Sequence, residues 1–566
     1  MGLSNVCHFD CACNERLSGE EAAKRRLGQP IEKYRILTKS RQIAAARLIR
    51  LRPIRSLACR LFGQRAQCES AHWQYRVWEM ILFYNPKATR PRNRRFPLSI
   101  LAIAAVVEGK EEYAIVDGNL DPHPTESLVA IIKERSVDLL AVTVMPGPQT
   151  VGAVASCREI RSRFPELPIV WGGYFASNYT AAALNAGYVD YAVRGQGEQT
   201  FLDLLDAIRG HRDLKEIPGL SYKAADETVR NNPERPMRSL DDFPAYPYHR
   251  IPAERYLLPT FLGQRTAVHQ ASLGCPYRCN FCGVVGFSGS RQRMESPART
   301  EGALRHLVET YGVDAVQFYD NNFFLREDHT RELADRMAPL NLRWWCEGRA
   351  DILMKYSDTT LDALRRAGCT MIFFGAESGS NEILKEMNKD LRAEDTLGLA
   401  SRIRQFGIIP EFSVIFGNPK DPEGDTRDCI TFIRQLKRLN PDSEIIVEHY
   451  TPVPQRTRMY GNVEDQMQFP TTADEWATER WQRFATQKDP QTPWLRPTTK
   501  QLIDNFELVV SSRWPTVQDI RLPNWGRMAL KALSSWRYRL GVYGAPWELK
   551  WMQEVIELRK PKAESL

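Results

Sequence analysis

Three cysteines, Cys275, Cys279 and Cys282, stand in the run "CPYRCNFC", with three and two residues between them and no fourth cysteine nearby. A structural zinc site takes four ligands and closes its own coordination. Three thiolates in one short loop suit instead a cubane of four irons, in which the protein holds three irons and the fourth stays open to a ligand that is not protein. An open iron is a place for reaction. On spacing alone, the alternative is a zinc knuckle completed by the distant Cys346, Cys369 or Cys429.

Such a loop needs a frame. From about 269 to 465, six apolar runs ("AVHQASLG", "AVQFYDNNF", "LRWWCEGRA", "CTMIFFGAESG", "IPEFSVIFGNP", "SEIIVEHYTPVP") are separated by helical segments. That alternation predicts a partial TIM-type (βα)6 barrel with function at its strand ends. The cysteine loop follows directly on "TAVHQASLG" and so belongs at the barrel mouth. Ahead of it, over 80–210, "MILFYN", "YAIVDG", "LLAVTV", "PIVWGG" and "VDYAVRG" alternate with helices near 96–108, 124–135, 148–163, 177–186 and 198–209. Near-continuous apolar strands between helices predict an N-terminal doubly wound parallel sheet, giving an α/β protein overall. Such sheets bind ligands beyond the carboxyl ends of their strands, here marked by Asn85, Asp117, "TVMPGPQ", "GGYF" and "GQGE". Residues 211–268 read as a Pro-rich linker with one short strand at "GLSY". A helical C-terminal region, 466–566, carries eight of the 13 tryptophans. Packing of these rings on the barrel is expected, with a cap over a bulky apolar partner as the alternative.

Composition narrows the classes. Of 566 residues, 43% are apolar and 26% charged, ordinary for a globular chain, and the longest apolar run, "LSILAIAAVV", is too short to span a bilayer. The net charge of +8 resides in residues 1–79, which hold 15 Lys and Arg against 7 Asp and Glu, leaving 62 of each sign elsewhere. A neutral body excludes a nucleic-acid surface. The basic segment 1–79 reads as a loosely attached or spurious extension ahead of Met80, or as a transit peptide containing unusual acidic residues such as Glu20 and Glu21. No secretory signal or regular cysteine framework is present, which predicts a reducing, cytoplasmic compartment.

The cysteine loop, with Phe281 before its last cysteine, resembles that of the radical S-adenosylmethionine enzymes. The resemblance implies a 4Fe-4S cluster on Cys275, Cys279 and Cys282 whose open iron chelates S-adenosylmethionine. It also implies that one electron splits that molecule into methionine and a 5′-deoxyadenosyl radical, with an electron donor such as flavodoxin or ferredoxin. Beside Phe281, it assigns Asp320 and Asn321 in "YDNN" to the methionine ammonium, although the family's paired glycines are missing there. Arg349 in "CEGRAD" is assigned to a carboxylate, Glu377 and Ser378 in "ESGS" to the ribose and amino-acid end, and Ile415 and Gly417 in "VIFGNP" to adenine. The front domain resembles the cobalamin-binding domain of the cobalamin-dependent branch, which implies contacts from Asp117, Thr143, Gly172, Gly173, Gly195 and Glu198. One departure stands out: the loop "PKATRPRNRRFP" lacks the histidine that family members place beneath cobalt, and His123 lies in the wrong loop. Cobalamin bound without a histidine lower ligand is therefore expected. The outline from "MILFYNP" to "YTPVPQRTRMY" is similar to the anaerobic magnesium-protoporphyrin IX monomethyl ester cyclase group.

These readings lead to one expectation: methylation or oxidative cyclisation of an unactivated carbon on a bulky small-molecule metabolite. The rival is a non-catalytic cobalamin or redox sensor, which has no reason to array Asp320, Arg349 and Glu377 at strand ends.

Overall fold

A computed structural model describes residues 80–453, 463, 466–485 and 492–559. Segment 1–79, with its transit-peptide and extension readings, and most of 454–465 at the end of the expected barrel lie outside the described residues.

The front sheet begins with β1 (Ile81–Asn85), β2 (Tyr113–Asp117), β3 (Leu139–Thr143), β4 (Ile169–Gly172) and β5 (Tyr191–Val193). These five pair in parallel in the order β2-β1-β3-β4-β5. β1 and β3 are buried along their whole length because helices cover both faces of a parallel sheet. Strand order reverses at β1, so the crevice of a doubly wound sheet opens between the ends of β1 and β3.

Two expectations change here. The stretch 211–268 holds not one strand but two, β6 (Leu220–Lys223) and β7 (Val229–Asn231), which extend the front sheet as an antiparallel hairpin, and also the start of the next strand at Thr266. β7 is short and mostly exposed, so it leaves almost no apolar pattern to read. The helix expected over 177–186 begins earlier, at Gly173, and breaks at Tyr179 into Gly173–Asn178 and Thr180–Leu184.

The second sheet holds β8 (Thr266–His269), with β9 (Ser272–Gly274) and β10 (Gln292–Met294) forming a separate antiparallel pair beside it. It continues with β11 (Ala315–Phe318), β12 (Arg343–Gly348), β13 (Cys369–Glu377), β14 (Ile409–Phe416) and β15 (Glu444–His449). Six strands pair in parallel in the order β15-β14-β13-β12-β11-β8. The expected continuous run "TAVHQASLG" is therefore interrupted at Gln270–Ala271. The cause is long-range: His269 Nε2 bonds the buried Glu295 at 3.0 Å, and Glu295 N donates to Ala271 O at 2.7 Å, which turns the chain out of the sheet.

The C-terminal helices also depart from expectation. Trp476 and Trp481 pack on the front domain rather than on the second sheet, with Trp476 4.7 Å from the Tyr179 ring. Trp525, Trp536, Trp547 and Trp551 face outward. No helix among the described residues is long and apolar enough to cross a membrane.

Candidate functional site

β9 and β10 clamp the segment carrying the three cysteines, and a second stretch pins its far side. Asn280 N donates to Met387 O at 2.8 Å, Asn280 Nδ2 to Glu386 O at 2.6 Å, and Asn388 Nδ2 to Arg278 O at 2.8 Å. Burial pushes the Cys275 thiol up to about 11 and raises Cys279, while the Lys389 ammonium pulls both back. Thiols held this way ionise when a metal replaces their protons. Among the described residues no group of His, Cys, Asp or Glu side chains is placed to hold a single metal ion. Three thiols spread around one loop fit a cluster in which each takes a different iron.

Around the loop, the ends of β11, β12 and β13 bring charge into the interior. Arg349 follows β12; its guanidinium stacks on Tyr277 at 3.7 Å, pairs with Asp351 at 3.0 Å, approaches Cys279 Sγ at 3.8 Å and donates to Lys389 O. Its donors are thus directed to protein groups, which favours an electrostatic hold on the cysteine loop over the carboxylate contact expected of it. Glu377 ends β13 beside a register shift, at φ +63°, a backbone setting unusual for a side chain of its size. It is fully buried and paired with Lys389 at 2.5 Å; burial raises its carboxyl and Lys389 works against that rise.

Ser378 and Gly417 are joined through a residue the sequence did not single out. Asp425 accepts from Ser378 Oγ at 3.0 Å and from Asn418 N at 3.0 Å, tying the end of β13 to that of β14, and burial pushes its carboxyl to about 6. Gly417 sits at φ +78°, where a Cβ would fall 2.8 Å from Leu495, and its carbonyl accepts from Trp494 at 2.9 Å. Ile415 packs with Cys279, Phe281, Met387 and Tyr450.

The chain after β11 alternates sides. Tyr319 and Asn321 line a cavity between the two sheets, whereas Asp320 and Asn322 are each 1% exposed. Asp320 accepts from Ala271 N at 3.1 Å, and burial lifts its carboxyl to about 7. Asp320 Oδ1, both amide atoms of Asn322, Asn321 Oδ1 and Glu377 Oε2 have no hydrogen-bond partner. Buried polar atoms are nearly always satisfied, so this set fits a zwitterionic ligand that supplies both donors and acceptors.

The cavity between the sheets holds about 340 Å³, within the range of small-molecule sites. Thr143, Gly172, Gly173, Gly195 and Glu198 line it from the front domain, and Gln270, Leu273 and Phe287 from the other side. An added Cβ at Gly172 would meet nothing within 4 Å, so the backbone itself faces open space, as close approach of a broad ligand requires. No histidine is among the lining residues, and the loop after β1 is tied down by Asn119 Oδ1, which accepts from Ala88 N and Thr89 N. The lining, largely apolar with Thr143, Gln196 and Glu198 among its polar groups, fits the face of a broad, partly polar ligand.

Asp117 corrects the expected set. It ends β2, on the far side of β1 from the crevice, and its carboxylate accepts from Asn85, Asn119 and Tyr256, the last at 2.6 Å. It braces the connector and does not line the cavity. His123 is solvent-exposed. Missed at the other extreme is Tyr174, which lines the cavity while its hydroxyl presses on Gly283, next to Cys282: a Cβ at Gly283 would lie 1.6 Å from that oxygen. Lys389 carries no spacing signal, whereas Tyr174, Tyr277 and Asn322 lie inside stretches already marked by their neighbours.

Comparison with known proteins agrees with this geometry. Residues 270–433 match the Radical SAM superfamily model and residues 89–205 the B12 binding domain model. The chain is 28% identical to an uncharacterized methyltransferase of Pyrococcus horikoshii over 60% of this chain and 73% of that one. It is 25% identical to the anaerobic magnesium-protoporphyrin IX monomethyl ester cyclase of Synechocystis sp., over 66% and 73%. The solved structure of the radical S-adenosylmethionine methyltransferase TsrM from Kitasatospora setae superposes with a TM-score of 0.57 at 19% identity, covering 85% of this chain and 99% of that one, a likeness of fold.

Proposed function

We propose, from the premise that this chain belongs to the radical S-adenosylmethionine superfamily in its cobalamin-binding branch, that it methylates or oxidatively cyclises an unactivated carbon of a bulky, partly apolar metabolite. When bound, the cluster and S-adenosylmethionine supply a hydrogen-abstracting radical and cobalamin supplies a transferable methyl group. In this reading Cys275, Cys279 and Cys282 hold a 4Fe-4S cluster at the mouth of a partial (βα)6 barrel. Asp320, Asn321 and Glu377 orient the amino-acid end of S-adenosylmethionine, and Ser378, Ile415 and Gly417 border its nucleoside. Phe281 shields the loop. Thr143, Gly172, Gly173, Gly195 and Glu198 cradle the corrinoid, and the cavity walls keep water from the reacting carbon. Lys389 balances Glu377 and, with Arg349, stabilises the ligating thiolates. An external donor of the flavodoxin or ferredoxin kind completes the cycle.

One observation carries the reading. The four consecutive residues Tyr319–Asn322 join a cavity, lined by Tyr319 and Asn321, to partnerless buried polar atoms on Asp320, Asn321 and Asn322. A non-catalytic sensor has no use for both compartments at such close range. Similarity to named methyltransferases and to a cyclase leaves the two reaction types side by side.

The test is anaerobic purification with iron, sulfide and cobalamin. Iron and sulfide counts, a visible spectrum for retained corrinoid, and 5′-deoxyadenosine release against a Cys275→Ala control are then measured. Corrinoid retention with turnover-dependent 5′-deoxyadenosine supports the proposal. No 5′-deoxyadenosine above the control, or tetrahedral zinc in place of iron, overturns it. Mass analysis of tetrapyrrole and lipid candidates then separates a methyl gain from an oxidation.

A further inference from the structure

Two neighbouring helices near the end of the chain, Asn524–Leu540 and Trp547–Arg559, turn large apolar side chains outward. On the first, Gly526, Leu530, Ser534 and Arg537 form the buried side, and a Cβ at Gly526 would lie 3.2 Å from Ile556 of the second helix. Its other side should then be polar. Instead Trp525, Met528, Trp536 and Leu540 recur there at helical spacing, with Met528 65% and Leu540 72% exposed. On the second helix Trp547 and Trp551, one turn apart, are 73% and 59% exposed. A cluster of this size marks a surface meant to be covered.

Charge indicates by what. The helix Asn524–Leu540 contains four basic residues and no acidic one. Arg537 is neutralised by Glu548, while Lys531, Arg539 and Lys550 are exposed around the apolar side chains, with Glu554 as an exposed acid beyond Trp551. A second copy of this face would set these cations against each other. The segment 1–79, with 15 basic and 7 acidic residues, meets the same repulsion. The fitting occupant is apolar in depth and negative at its rim, which describes a bilayer containing anionic lipid. Tryptophan rings settle at the headgroup level, and Lys and Arg are drawn to an anionic leaflet.

We propose that these two helices dock the protein peripherally on an anionic lipid surface. The docking is independent of the reaction proposed above and is measured without turnover.

The experiment uses the full chain and sealed vesicles of phosphatidylcholine alone or mixed with phosphatidylglycerol. Flotation, a blue shift of tryptophan emission and light scattering are read in parallel. The bound fraction should be about fivefold higher on the mixed vesicles and fall as salt is raised. Trp547→Ser/Trp551→Ser and Leu540→Asp should abolish the gain with an unchanged thermal melt, since these side chains are exposed. Lys531→Glu/Arg539→Glu should remove the preference for phosphatidylglycerol. Equal flotation of wild type and all variants overturns the proposal. So does a lipid-independent dimer that the same substitutions dissolve, or an acidic redox protein that binds this face while vesicles do not.

Discussion

The two sheets meet their ligand compartments in opposite ways. The front domain ends its strands in Thr143, Gly172, Gly173 and Gly195, where bare backbone and apolar walls shape a hollow, and its buried carboxylate Asp117 is turned away into a brace. The second domain ends its strands in Asp320, Arg349 and Glu377, all buried, with Arg349 reaching Cys279 of the cysteine loop. In the proposed reading the first compartment selects by shape and the second by charge held at a distance from water. Charge is costly to bury, so it collects where the ligand is itself charged.

The contrast breaks most completely at the thiols. Cys282→Ala should reduce iron content and 5′-deoxyadenosine to background while leaving corrinoid retention intact, read by iron assay and visible spectrum. Lys389→Met comes next. It leaves Glu377 buried beside no cation, which should cost about 3 kcal/mol in denaturant unfolding of the metal-free chain, and adding Glu377→Gln should recover most of that.

Asp320 sharpens the comparison through pH. Its carboxyl is raised from 3.8 to about 7 in the folded chain, so the folded state holds the proton more tightly than the unfolded one. Burial then costs nothing below pH 3.8, and the cost grows as pH climbs from there through about 7. Asp320→Asn should therefore stabilise the metal-free chain at pH 8 by on the order of 3 kcal/mol, with little effect at pH 4, in parallel thermal melts. It should also weaken S-adenosylmethionine binding. The smallest effect falls on shape. Gly173→Ala, at φ +86° with Thr143 Oγ1 3.0 Å from the new Cβ, should cost about 1–2 kcal/mol and lower corrinoid retention without changing iron content.

Much of this plan was legible in the chain. Alternating apolar runs give both parallel sheets because burial on two faces imposes a continuous pattern, and the cysteine spacing marks the candidate metal loop. What escaped depends on contacts distant in sequence. The break after β8 follows from His269 meeting Glu295, 26 residues on. Asp117 was misassigned because alternation shows that a strand exists and not where it stands in the sheet. Lys389 and Asp425 belong to no local pattern, and Tyr174 sits in a marked stretch without its partner being legible; each matters through groups on other elements. The outward tryptophans defied the rule that aromatics are core because nothing in a helical period says which of two apolar sides is covered.

The seam at Gly283 has a consequence for variation. With no room for even a methyl group beneath the Tyr174 hydroxyl, a larger residue at 283 is tolerated only with a smaller one at 174. Two positions more than a hundred residues apart, one in each domain, must then change together or stay as they are. Domain shuffling between relatives will succeed or fail at that keyed joint before any chemistry is reached.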